Sequence, residues 1–152
     1  MENKKINIIP GPSVMAERDE VLAKAYKDLI FFGRVFLPQD FLHKSESPQF
    51  HYDLSKRLIE HKPGARICNI IPRGMGKSIL SKTAIMHKFL FAETDKQNFV
   101  AWVSEEQGQS VDHLKYIRHH FEENEMIRYY FGNMDGGSVG KRWTEKDIVT
   151  PK

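Results

Sequence analysis

Cysteine is almost missing from this 152-residue chain, which holds one, Cys68. A lone thiol forms no intrachain disulfide, so a disulfide-stapled secreted domain is excluded and a reducing, intracellular setting is expected. Its place in the apolar run Ile67-Cys68-Asn69-Ile70-Ile71 leads us to expect a small buried side chain. Long apolar runs are absent too. No stretch approaches the roughly 18 to 20 residues that a bilayer crossing needs. The start, Met1-Glu2-Asn3-Lys4-Lys5, leads only into Ile6-Asn7-Ile8-Ile9-Pro10, so neither a secretory signal nor a membrane span is expected. Glycine and proline, at 10 and 7, are too few for a collagenous or low-complexity chain. A strong excess of one charge is also lacking, since 23 Lys+Arg face 20 Asp+Glu for a formal net charge of +3. That balance permits a nucleic-acid partner but does not hold DNA by electrostatics alone.

What is present is a 40% hydrophobic, 28% charged composition able to bury a core. Residues 1–12 read as a flexible tail. Residues 13–46 read as an N-terminal helix and an aromatic connector. The helix is capped by Ser13, carries Val21, Leu22, Ala25, Leu29 and Phe32 at helical spacing, and ends at Gly33. The connector, Val35 to Leu42, is broken by Pro38, and the Phe31/Phe32/Phe36/Phe41 cluster, at helical spacing beside it, suits packing better than base stacking. A second helix opens at Ser47-Pro48, places Phe50, Leu54, Leu58 and Ile59 on one face, and stops at Pro63-Gly64.

The β-branched run Arg66 to Ile71 then predicts a buried strand that ends in the glycine turn Pro72-Arg73-Gly74-Met75-Gly76. A helix apolar on most sides follows from Lys77 to about Phe91, then a turn at Thr94 to Gln97 and a second strand over Phe99 to Val103. Ser104 and Gln107 form a capping box for a helix with Val111, Leu114, Ile117 and Phe121 inward. A glycine-rich loop at Asn133 to Ser138 leads to Arg142 to Val149, one more strand or half a hairpin. The alternation of strands and helices predicts an α/β fold with a parallel sheet.

The main chemical signal is Arg73-Gly74-Met75-Gly76-Lys77-Ser78 between the predicted strand and helix. Successive backbone N–H groups at such a turn, with a helix N-terminus behind them, form a cradle for phosphates. Lys77 would reach the β and γ phosphates, and the Ser78 hydroxyl would ligate a magnesium ion carried by the same nucleotide. Five residues before Gly76, where the usual loop has glycine, stands Ile71. No apolar strand ends in an acidic pair that could hold metal and attacking water. Ser104 stands where an aspartate belongs after Phe99 to Val103, so Glu105 and Glu106 read as first-turn helix carboxylates.

The stretch Ile70-Ile71-Pro72-Arg73-Gly74-Met75-Gly76-Lys77-Ser78 resembles the deviant Walker A loop of the large terminase subunit of tailed bacteriophages, which has an arginine four residues before the lysine and often lacks the first glycine. Phe99 to Glu105 resembles that family's second strand, and Asn124 to Gly132 its helix before the hydrolytic strands. The likeness covers roughly residues 30 to 150, and it is specific in the loop. It implies a partial P-loop NTPase of the ASCE type, a parallel sheet flanked by helices, with residues 47–152 forming the front part of the ATPase domain. It implies truncation before the Walker B acid and no nuclease domain. Arg73 and Lys77 would be catalytic, and Arg73, Gly74, Met75, Gly76, Lys77 and Ser78 would hold ATP and Mg2+. His51, in Pro48-Gln49-Phe50-His51, would stand on the adenine side.

For the complete protein the likeness implies double-stranded DNA, portal protein and small terminase subunit as partners, a homo-oligomeric ring, and the host cell cytoplasm with transient docking at the procapsid portal. The isolated chain would bind ATP, hydrolyse it scarcely above background, and expose apolar surface around Ile79 to Phe91. Two further readings stay open: another P-loop NTPase, helicase-like or kinase, and a non-catalytic nucleotide- or anion-binding module. The seven histidines, His113, His119 and His120 among them, lack metal-ligand spacing and read as solvated or capping groups. Lys82, Lys88, Lys115 and Arg118 read as solvated helix faces.

Overall fold

The computed structural model describes residues 12–41, 46–61, 64–93, 99–134, 142–143 and 148–149. The expected tail up to Gly11, the stop at Pro63, the turn at 94–97 and the glycine-rich loop from Asp135 to Ser138 lie outside the described residues.

The N-terminal helical stretch is two helices. α1 (Pro12–Lys27) carries Lys24 and Lys27 in its last turn, where cations meet its negative end. Asp28 then leaves helical geometry, and its Oδ1 accepts hydrogen bonds from the N–H groups of Ile30 (2.9 Å) and Phe31 (3.0 Å). That side-chain cap starts α2 (Leu29–Phe36) as a separate helix. Gly33, expected to end the helix, is buried inside α2, where a Cβ would collide with the ring of Phe41. Phe41 belongs to the short α3 (Pro38–Phe41) that the connector forms. α4 (Gln49–Ile59) and α5 (Lys77–Leu90) follow the predicted faces. α6 (Gln107–Glu123) starts at Glu106 with no side-chain cap, so the expected capping box is not formed, and Glu105 and Glu106 precede the helix instead of lying in its first turn. α7 (Glu125–Phe131) is capped by Asn124, whose side chain accepts from Ile127 N–H at 3.0 Å.

The expected α/β architecture, a partial P-loop NTPase parallel sheet flanked by helices, is corrected by the structure, which is helical. The one ladder among the described residues joins β1 (Arg142–Trp143) to β2 (Ile148–Val149), antiparallel, with Arg142 opposite Val149 and Trp143 opposite Ile148. Residues 65–72 and 99–104 carry neither helix nor strand pairing. Ile70 is 94% exposed and Phe99 and Val103 are each 88% exposed, the opposite of strands buried in a parallel sheet. Cys68 is exposed as well, not buried. β-branched composition favours an extended backbone, but a strand forms only when a neighbour takes its N–H and C=O groups.

The core is built around α2. Leu29, Phe32, Phe36 and Leu37 are buried with Ala25, Met86, Ile117, Phe121 and Ile127, drawn from α1, α5, α6 and α7. Ring contacts at 4.8 Å (Phe32–Phe36) and 5.4 Å (Phe36–Phe131) place the phenylalanine cluster in the interior, where packing was expected. On the other side of α2, Ile30 packs with Leu54 of α4 and Leu80 of α5. Leu80 and Met86 of α5 are buried and its other apolar residues partly so, because α2, α4 and α6 all pack on it. The most exposed large apolar residues, Ile70, Phe99 and Val103, lie on the extended segments, and none of the exposed ones lies on this helix.

Candidate phosphate-binding loop

The loop hangs between the extended run 65–72 and the start of α5. Gly74 (φ 79°) and Gly76 (φ 72°) both lie in the left-handed region, and Gly76 is the residue that caps α5. An L side chain adopts that region only at a cost of about 1–2 kcal/mol, so the two glycines make the turn. Leu80 N–H donates to Gly76 O at 2.9 Å as the first helical bond. The N–H groups of Lys77, Ser78 and Ile79 precede it and have no partner within the helix, which leaves donors and the positive helix end at the turn. At Gly74 nothing lies within 4 Å of where a Cβ would stand.

The structure brings most of the expected site residues together. The Lys77 ammonium folds back on the turn and donates to the carbonyls of Ile71 and, at 3.1 Å, Pro72. Arg73 and Ser78 are exposed beside it. His51 reaches the loop from the first turns of α4: its Nε2–H donates to Met75 O at 3.0 Å, the acceptor fixing the tautomer. Its ring also lies over Gly76, where a Cβ would meet Nε2 at 3.3 Å and Cε1 at 3.5 Å. Alongside, Phe50, Asp53 and Arg57 of α4 and Asn69, Ile71, Pro72 and Met75 line an open depression of about 400 Å³. The residues present therefore fit a polyphosphate, with backbone donors, an ammonium, a hydroxyl and a guanidinium around one turn.

A second polar cluster went unread in the sequence. Lys82, expected on a solvated face, is only 8% exposed, with its Nζ 3.5 Å from the centroid of the Tyr116 ring. The Tyr116 hydroxyl donates to the Asp40 carboxylate. Burial, then the Asp40 hydrogen bond and charge, push the Tyr116 phenol well above its ordinary range. Burial lowers Lys82 and the Asp40 charge opposes it. His120 packs edge-on to Tyr116 at 4.6 Å and is lowered mainly by burial. His87, expected to be solvated or capping, is buried in α5, and its Nε2–H is shared between the carbonyls of Ala25 (3.2 Å) and Tyr26 (3.0 Å). Burial lowers its pKa, and these two bonds only partly oppose the shift. The partners lie 62 and 76 residues apart in sequence (His87 to Ala25, Tyr116 to Asp40), so only the fold reveals them. Among the described residues no three His, Cys, Asp or Glu side chains group as a metal would need, and no helix is long and apolar enough to cross a membrane.

Comparison with known proteins finds no family model, no curated protein and no solved structure that matches the chain.

Proposed function

We propose that this chain binds ATP with magnesium through the loop from Gly74 to Ser78. The observation that carries the reading is the pair of left-handed glycines around Met75 at the N-terminus of α5, with Lys77 at the first helical position. Phosphate oxygens would take the N–H groups at the start of α5, the Lys77 ammonium would leave its carbonyl partners for them, Arg73 would add a second charge, and the Ser78 hydroxyl would reach the metal. The bound nucleotide would supply the phosphoanhydride whose hydrolysis drives work. The reading rests on the loop and its helix, not on a sheet.

In its wider form the proposal takes the chain as the ATP-binding part of a viral DNA-packaging motor similar to the large terminase subunit, in which hydrolysis by the complete protein moves double-stranded DNA into a procapsid. Portal protein, small terminase subunit and a homo-oligomeric ring belong to that wider proposal, which is supported by the loop sequence alone. The chain itself is expected to bind ATP and turn it over at background. Calorimetry of ATP·Mg2+ with the wild type and Lys77→Ala tests the core of the reading. Loss of the charge-assisted contact should weaken binding about ten- to a hundredfold. Equal affinities would refute it, and brisk turnover that vanishes in Glu105→Gln would show that the chain carries its own hydrolytic acid.

A further inference from the structure

We infer that His51 is a positioning residue of the loop, holding the Met75–Gly76 peptide in the orientation that turns its N–H toward a phosphate; the inference rests on the ATP-binding reading of that loop. The resemblance placed His51 beside the nucleobase, but its ring nitrogen is spent on the backbone. His51 Nε2–H donates to Met75 O at 3.0 Å. No cis peptide occurs among the described residues, and in a trans peptide the C=O of one residue and the N–H of the next point in opposite directions. Tying Met75 O to α4 therefore points Gly76 N–H away from α4, and no backbone carbonyl among the described residues accepts it.

Such a peptide is free to flip unless something holds it. A flip changes ψ of Met75 and φ of Gly76, and glycine accepts either sign of φ at little cost. Flipped, the unit would aim a carbonyl oxygen at a bound anion in place of an N–H, exchanging attraction for repulsion. His51 resists this twice: through the hydrogen bond to Met75 O, and through a ring near enough to Gly76 that a Cβ there would stand 3.3 Å from Nε2. The imidazole is itself braced, with the Phe50 ring at 4.4 Å edge-on to it. Position 76 thus demands glycine for its left-handed φ and for the histidine that covers it.

The test separates this role from a base contact and from failure of the phosphate reading. Wild type, His51→Ala and His51→Gln, the last keeping an N–H donor at similar reach, are compared with inorganic tripolyphosphate plus Mg2+, with ATP·Mg2+ and with adenosine. Positioning predicts that His51→Ala loses about three- to tenfold in affinity, the loss expected for one hydrogen bond, equally for tripolyphosphate and ATP, and that His51→Gln restores both. A loss confined to ATP would assign His51 to the base, and unchanged binding would leave it no role; either overturns the inference. Backbone NMR of the ligand-free proteins is read in parallel. The single Gly76 amide resonance of wild type should broaden or split in His51→Ala, as the Met75–Gly76 peptide samples both orientations, and become single again in His51→Gln, while α2 amides stay unchanged. An unchanged Gly76 resonance in His51→Ala overturns the positioning role whatever the ligands do. Wild type that binds neither polyphosphate refutes the phosphate reading and with it the use proposed for this peptide, even if the resonances show that His51 holds it.

Discussion

Two parts of the molecule draw on the same apolar alphabet and come to opposite ends. Around α2, Leu29, Ile30, Phe32 and Phe36 are almost wholly buried, whereas in the extended runs 65–72 and 99–104 Ile70, Phe99 and Val103 face solvent. Hydropathy does not separate the two sets. Backbone bonding does: a helix satisfies its own N–H and C=O groups and needs only a face to bury, so α2 can sit among α1, α4, α5 and α7. An extended run has to find its partner elsewhere in the chain, and among the described residues 65–72 and 99–103 pair with none. An apolar side chain is buried only when its backbone is satisfied first.

Truncation of the core should give the largest effect that sharpens this contrast. Phe36 touches Phe32, Tyr130 and Phe131 and is fully buried, so Phe36→Ala should cost about 3–5 kcal/mol in denaturant unfolding, because the site cannot collapse around so large a void. A cost below 1 kcal/mol would mean that α2 is not the centre of the fold. Gly33→Ala comes next. A methyl there enters the space of the Phe41 ring and should destabilise by about 1–3 kcal/mol, with relief when Phe41→Leu is added. Additive costs would show that the two residues do not touch.

A smaller effect is expected from acid. His87 is held neutral by burial, so its folded pKa lies below the ordinary value of 6.5. Unfolding then takes up protons, and the stability is present in full above about pH 6.5 and is lost as pH falls below it. His113 and His120 are shifted in the same direction. Thermal unfolding midpoints of wild type should therefore drop between pH 7.5 and pH 5.5, and His87→Gln should show a shallower fall. Parallel curves would contradict a buried neutral imidazole. Smallest of all, Phe99→Ser should change unfolding stability by no more than about 0.5 kcal/mol, since an 88% exposed ring has little burial to lose. A large cost would mean that residues 99–103 are buried after all, and would break the comparison.

Much of the helical pattern was legible in the residues, because helical periodicity is local. The apolar spacing of α4, α5 and α6 marks the faces that the structure buries, and Gly74 and Gly76 mark the turn. Boundaries that depend on distant partners were not legible. Gly33 looks like a helix stop until Phe41 folds over it, and Asp28 looks like one more helical residue until its carboxylate takes two backbone N–H groups. The strands were misread because composition reports preference for an extended backbone and is silent on pairing. In the candidate site, the loop residues could be read from spacing. That His51 meets the backbone of Met75 could not, since 24 residues separate them.

The folded-back Lys77 has a consequence for which anions can enter. Its ammonium already donates to the carbonyls of Ile71 and Pro72, so an incoming ligand competes with two oxygens in place and not with water alone. A weak or singly charged anion gains little from that exchange, whereas a polyphosphate replaces neutral acceptors with ionised ones and forms bonds roughly twice as strong. On the proposed ATP-binding reading, the lysine would thus set a threshold of charge density at the mouth of the loop, one that a ligand bearing several phosphate charges would pass and small anions would not.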